Sequence, residues 1–248
     1  MNKRHRVQFP KNELSDTNQS ESYFYLQGTS NNRKLLFHDY DEIYQIPGLY
    51  EQVFYDRLKC TSPNKVTAIL ESSIKQSRDN FTELRVLDLG AGNGMMGEEL
   101  KKRGISRLIG VDIIPEAYEA LIRDRPGVYD AYFVEDFCEL SKEKKEEIES
   151  WQCDCMVTVA ALGFGDIPTK AFVNAFNIIS NEGWVAFNIK DTFLDSSDET
   201  GFSKLIRELI FSKYLDVYHI ERYRHRLSVD GEPLHYFAVV GRKNAAIS

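Results

Sequence analysis

From residue 84 to residue 241 the chain alternates short apolar runs with stretches whose apolar residues recur at helical spacing. Such runs suit parallel strands covered on both faces, and the intervening stretches suit helices packed on the sheet they form. Strands are predicted over residues 86–89, 108–111, 184–189, 215–222 and 234–241, and helices over 95–103, 170–179 and 202–211. Gly231 and Pro233 mark a turn between the last two strands, so the sheet closes in an antiparallel hairpin. Residues 139–149, ELSKEKKEEIE, read as a solvated helix. Upstream, residues 37–77 carry Tyr40, Ile43, Tyr44, Tyr50, Val53, Phe54 and Leu58, interrupted by Pro47-Gly48 and by Pro63, which predicts two or three helices. Residues 1–33 are polar apart from Tyr23-Phe24-Tyr25 and are expected to be mostly mobile. The organisation expected is therefore a mobile segment over 1–33, a helical cap over 34–80 and an α/β domain over 81–248.

The densest chemical signal lies in residues 86–112, VLDLGAGNGMMGEELKKRGISRLIGVD. Asp88 interrupts an apolar strand near its end. Gly90, Gly92 and Gly94 follow at alternate positions, where a missing side chain lets a ligand approach the backbone. The helix beginning near Met95 points its free amides at the same crevice. Asp112 closes the second strand, in the place where doubly wound sheets receive the two hydroxyls of a ribose. Gly92-Asn93-Gly94-Met95-Met96-Gly97 satisfies G-x-G-x-x-G, so a dinucleotide is one candidate. Its register is wrong, because the strand ends at Asp88-Leu89-Gly90 rather than at the first fingerprint glycine. An extra acid and glycine suit a ligand with an ammonium and no pyrophosphate.

VLDLGAGNG resembles the first motif of the class I S-adenosylmethionine-dependent methyltransferases, and GVDIIPEAYEAL resembles their second strand, its acidic end and the following helix. The likeness continues through YFVEDF at 132–137, CDCMVTV at 153–159 and NEGWVAF at 181–187, similar to the third strand, the fourth strand and the turn before the fifth. Among class I proteins the stretch is most similar to small-molecule enzymes with a generic methyltransferase domain. The resemblance implies a Rossmann-like α/β fold: a seven-stranded, mostly parallel sheet with an antiparallel last strand, helices on both faces and an N-terminal helical extension. It implies S-adenosyl-L-methionine as cofactor, held by Asp88, Leu89, Gly90, Ala91, Gly92, Asn93, Gly94, Asp112, Ile113, Asp136, Phe137 and Ala160. An NAD(P)-dependent oxidoreductase and a non-catalytic cofactor-fold subunit remain open as alternatives.

Charge narrows the acceptor. A net charge of −7 and a pI near 5.4 give little attraction for polyphosphate, so a small molecule is expected rather than a nucleic acid. No apolar run is long enough to span a membrane and no signal-peptide core follows Met1, so a soluble cytoplasmic protein is expected. The four cysteines form no C-x-x-C pair, and no metal is inferred.

Methyl transfer from an activated donor needs alignment first, and a base only when the acceptor arrives protonated. His38, ahead of the aromatic helices, is the base candidate, and Lys190 after the fifth strand is a second catalytic candidate. Tyr40 and Tyr44, four apart on one helical face, are candidates for the acceptor site or for a lid. The loop ALGFGDIP at 161–168 is small and apolar, which suggests a hydrophobic acceptor pocket with Phe164 as its wall.

Overall fold

The computed structural model of the chain describes residues 4–10, 21–28, 31–194 and 198–247. Part of the segment expected to be mobile is built into an antiparallel sheet of β1 (Val7–Gln8), β2 (Tyr23–Gln27) and β3 (Asn32–Leu36). Its anchor is the aromatic knot: Phe24 and Leu35 are fully buried against Phe37, Ile43, Val53 and Phe54. Apolar burial here offsets the ordering cost of a polar segment. The rest of the segment, residues 1–3, 11–20 and 29–30, lies outside the described residues. The cap is thus a sheet plus helices, where helices alone were expected.

Three helical elements follow. They are α1 (Tyr40–Tyr44), a seven-residue π-helix at Glu51–Arg57, and α2 (Ser62–Ser77). Pro63 sits in the first turn of α2, where a missing amide costs nothing.

The main sheet contains β4 (Arg85–Leu89), β5 (Arg107–Asp112), β6 (Ala131–Val134), β7 (Cys155–Thr158), β8 (Trp184–Lys190), β9 (Leu215–Leu227) and β10 (Pro233–Lys243). Their spatial order is β6-β5-β4-β7-β8-β10-β9, with β10 antiparallel to both neighbours and the first five strands parallel. This is the expected seven-stranded architecture. Helices α3 (Met95–Lys102), α4 (Pro115–Asp124), α5 (Lys142–Glu149), α6 (Thr169–Ile178) and α7 (Phe202–Phe211) connect the strands.

Alternation along the strands assigns the two faces. Leu87, Ile109 and Phe187 pack with Phe172 and Phe176 of α6 and Leu209 of α7; Val86, Leu108 and Ala186 pack with Leu70 of α2 and Leu100 of α3. The order in which strands are added reverses at β4, whose neighbours are β5 on one side and β7 on the other. That reversal opens a crevice beyond the carboxyl ends of the strands. Helix α5 is the solvated helix expected, with Ile148 its one buried residue. No helix among the described residues is long and apolar enough to cross a membrane, and no group of three or more possible metal ligands occurs among them.

Strand β9 departs most from its sequence reading. It runs five residues past the expected end and is irregular there: Arg226 stands opposite Leu234 and Arg224 opposite His235, so His225 is an extra residue. A bulge of this kind breaks the in–out alternation. His225 and Arg226 are both buried as a result, at 5% and 6% exposure.

Candidate active site

The cap partly roofs the crevice at β4, leaving a half-open cavity of ≈ 240 Å³. Its floor is the glycine turn. The amides of Gly90 and Ala91 both donate to Val111 O at 2.9 Å, which pins the turn to β5. Gly92 has φ +53, and a Cβ there would stand 2.5 Å from the Tyr44 hydroxyl. Gly94, at φ +89, is the N-cap of α3, and a Cβ there would lie 2.7 Å from Leu121 Cδ1. A side chain at either position is therefore opposed by both backbone conformation and space.

The two predicted acids occupy different positions. Asp112 lines the cavity, accepting from Gly92 N (2.8 Å) on Oδ2 and from Ile114 N (3.0 Å) on Oδ1. Each oxygen keeps a second lone-pair direction for a ligand hydroxyl. Burial raises its pKa against the opposing effect of those amides. Asp88 does not line the cavity. It lies under the turn at 1% exposure and accepts a 2.6 Å hydrogen bond from the Tyr129 hydroxyl. Burial pushes Asp88 up to about 7; Tyr129 opposes the shift and the charge of Asp112 adds to it. Asp88 thus supports the turn from beneath.

Leu89, Gly90, Ala91, Gly92, Asn93, Ile113, Asp136, Phe137 and Ala160 all line the cavity, as do Tyr40, Tyr44 and His38. Gly94, Phe164 and Lys190 do not. Phe164 instead walls an adjoining chamber, so its expected place in the acceptor pocket shifts to that side. Lys190 is half-buried with its ammonium 5.4 Å from the Phe164 ring centroid, and burial lowers its pKa. Asp191, the plain partner for Lys190, accepts instead from Arg222 at 3.1 Å.

Several groups escaped the sequence reading. The π-helix brings Glu51 to the glycine turn, where its Oε1 accepts from Asn93 Nδ2 (2.8 Å) and Arg125 Nη1 (2.7 Å). Two acceptors there are buried without partners, Glu51 Oε2 and Asn93 Oδ1. Buried acceptors left open mark a place for a donor, since each costs free energy until it is met. Of the two residues, Asn93 lines the cavity. The pattern of residues 50–57 predicted a helix, and nothing in it signalled the wider π-type winding that places Tyr50, Glu51 and Tyr55 here.

His38 has a partner 128 residues away. Its Nδ1 stands 2.9 and 3.1 Å from the two carboxylate oxygens of Asp166, in the loop after β7, and both residues line the cavity. A carboxylate accepts, so Nδ1 donates to Asp166 and Nε2 is left for another partner. The loop is held under local strain. Ala160 and Phe164 take left-handed φ values of +61 and +54, which cost of order 1–3 kcal/mol each. Ala160 N donates to Asn188 Oδ1 at 2.6 Å, and Asn188 belongs to a buried network with Ser62, Tyr223 and His225. That network fixes the loop to the cap and to β9.

Residues 87–187 match the family model of a methyltransferase domain. The fold is similar to that of the N-methyltransferase NodS from Bradyrhizobium japonicum in complex with S-adenosyl-L-homocysteine, with a TM-score of 0.54 and 13% identity over 84% of this chain and 97% of that one. A SAM-dependent methyltransferase from Anabaena variabilis gives a TM-score of 0.54 at 14% identity, over 83% and 93% of the two chains. Magnesium protoporphyrin IX methyltransferase from Synechocystis, with bound SAM, gives 0.51 at 12% identity over 73% and 79%. At such identities the likeness is one of fold. No curated protein matches the chain.

Proposed function

We propose that the chain, whose residues 87–187 match the family model of a methyltransferase domain, methylates an oxygen or nitrogen of a small molecule, with S-adenosylmethionine as donor and His38 as general base. The observation that carries this reading is the His38–Asp166 pair on the wall of the cavity formed at the glycine turn.

The residues present fit the donor. Asn93, with its open Oδ1 acceptor, faces the cavity and would receive its ammonium, and Asp112 would accept from its ribose hydroxyls. Asp136 and Phe137 line the same cavity and are the candidates for the base end. When bound, the cofactor supplies a methyl group already activated on a sulfonium. His38 Nε2 takes the proton of a hydroxyl acceptor as its oxygen gains the methyl, and Asp166 holds the ring in the tautomer that can do so. Tyr40, Tyr44, Tyr50 and Tyr55 wall the cavity and keep water from the reacting atoms. The cavity is partly roofed by the cap and suits a compact acceptor. The net charge of −7 also favours a small molecule over a nucleic acid.

Isothermal titration of the full chain with S-adenosylhomocysteine and with NAD tests the cofactor assignment. Saturable binding of the first alone is expected, and binding of NAD alone, or of neither, rejects the reading. Asp112→Ala is expected to weaken S-adenosylhomocysteine binding by about 1–3 kcal/mol, because buried ribose hydroxyls lose their acceptor. Unchanged affinity removes Asp112 from the site.

A further inference from the structure

The chamber walled by Phe164 adjoins the cofactor cavity and shares His38, Tyr40, Tyr50, Ala160 and Asp166 with it. It measures ≈ 40 Å³. One water needs roughly 10–15 Å³ on such a measure, so the space suits a group of about three heavy atoms. Facing it from β9 is Arg226, 6% exposed and placed there by the bulge at His225. With strict alternation from the buried Tyr223, Arg226 would point away.

Arg226 is a buried cation lacking a counter-ion. Its guanidinium donates to Leu227 O at 2.9 Å and lies 5.3 Å from the Phe37 ring centroid, and no carboxylate among the described residues comes within ion-pair distance. Asp166, the acid in the chamber wall, has both oxygens on His38. His225 is held by Ser62 at 2.6 Å, and burial keeps its ring neutral. Burying a guanidinium unpaired is unfavourable, and the donors that Leu227 O leaves free on a guanidinium lining a small void suit a planar anion.

Resting on the methyltransferase reading above, we infer that the acceptor is an organic acid: its carboxylate is seated on Arg226 in the side chamber, and its nucleophilic atom reaches back to His38. A monoanionic carboxylate is favoured over a phosphate dianion, which would set a second negative charge beside Asp166.

The full chain is first titrated with S-adenosylhomocysteine, and then, with and without that ligand, with 4-hydroxybenzoate, its neutral isostere 4-hydroxybenzamide, and inorganic phosphate. Failure of the first titration rejects the methyltransferase reading and leaves the carboxylate question to the second. The acid is expected to bind on the order of 30-fold or more tightly than the amide, and Arg226→Met is expected to abolish that preference. Arg226→Lys should retain a preference for the acid, which separates loss of charge from loss of shape. Arg226→Met should also melt higher than the native protein, since an apolar side chain replaces an unpaired buried charge, and this confirms that the variant folds. Equal binding of acid and amide, acid binding indifferent to Arg226→Met, tighter binding of phosphate, or no saturable binding of the acid at millimolar concentration each overturns the inference.

Discussion

Between pH 4 and pH 8 the native protein is expected to lose about 4 kcal/mol of stability through Asp88 alone, and Asp88→Asn is expected to remove that loss. The native carboxyl is held at about 7 by burial, whereas the unfolded one titrates at ~4. Over this window the folded chain holds a proton that the unfolded chain has released, so stability is fullest below the lower value and declines as pH climbs toward the upper one. Asparagine keeps the neutral shape and can still accept from Tyr129, although its amide nitrogen needs a partner. That cost is independent of pH. The quantity to measure is therefore the difference between native and variant in urea-unfolding free energy at pH 4 and at pH 8. Parallel profiles would show that Asp88 is ionised in the fold, and the account of it as a neutral support beneath the turn would fall.

His38→Ala is expected to slow methyl transfer by about 10²–10⁴-fold for a hydroxyl acceptor, the usual contribution of a positioned base. Affinity for S-adenosylhomocysteine, which involves no proton transfer, changes far less. Added imidazole should restore part of the rate in the shortened variant, an effect that a packing role would not give. Asp166→Asn should cost less than His38→Ala, because the base remains and only its tautomer and orientation are disturbed. Single-turnover formation of S-adenosylhomocysteine, run with an acceptor chosen from hydroxylated acids, reads all three variants. A full rate in His38→Ala would return this histidine to a structural role.

Much of the main sheet was legible in the chain because parallel strands covered on both faces are written as uninterrupted apolar runs with glycines at their ends. The run Val86–Leu89, the turn after it and Asp112 identify the cavity floor without any long-range information. The cavity roof was not legible in that way. Tyr40 and Tyr44 announced a shared face through their spacing, but the pairing of β1 with β2 depends on contacts between residues far apart in a polar segment. Asp166 looked like one polar residue in a small apolar loop, and only the fold brings it to His38. Arg226 was concealed more thoroughly. It sits in the basic stretch RYRHRL, beyond the expected end of the strand at residue 222, and only the one-residue irregularity against β10 turns it inward. Lys190 misled for the opposite reason: position at a strand end suggested reach into the site, while the side chain settled over Phe164.

Tyr40 and Tyr44 stack at 6.1 Å, and Tyr44, 6% exposed, rests over the glycine turn with Tyr50 packed behind it at 4.9 Å. If the proposed nucleoside binds beneath those rings, its departure is expected to require the segment carrying them to move. Turnover is then paced by departure of the spent nucleoside, and rapid mixing should reveal a burst of one methylated product per enzyme followed by a slower steady rate. Trimming Tyr44 to alanine would flatten that burst by shortening the residence time, with the enzyme cycling faster while gripping its donor less firmly.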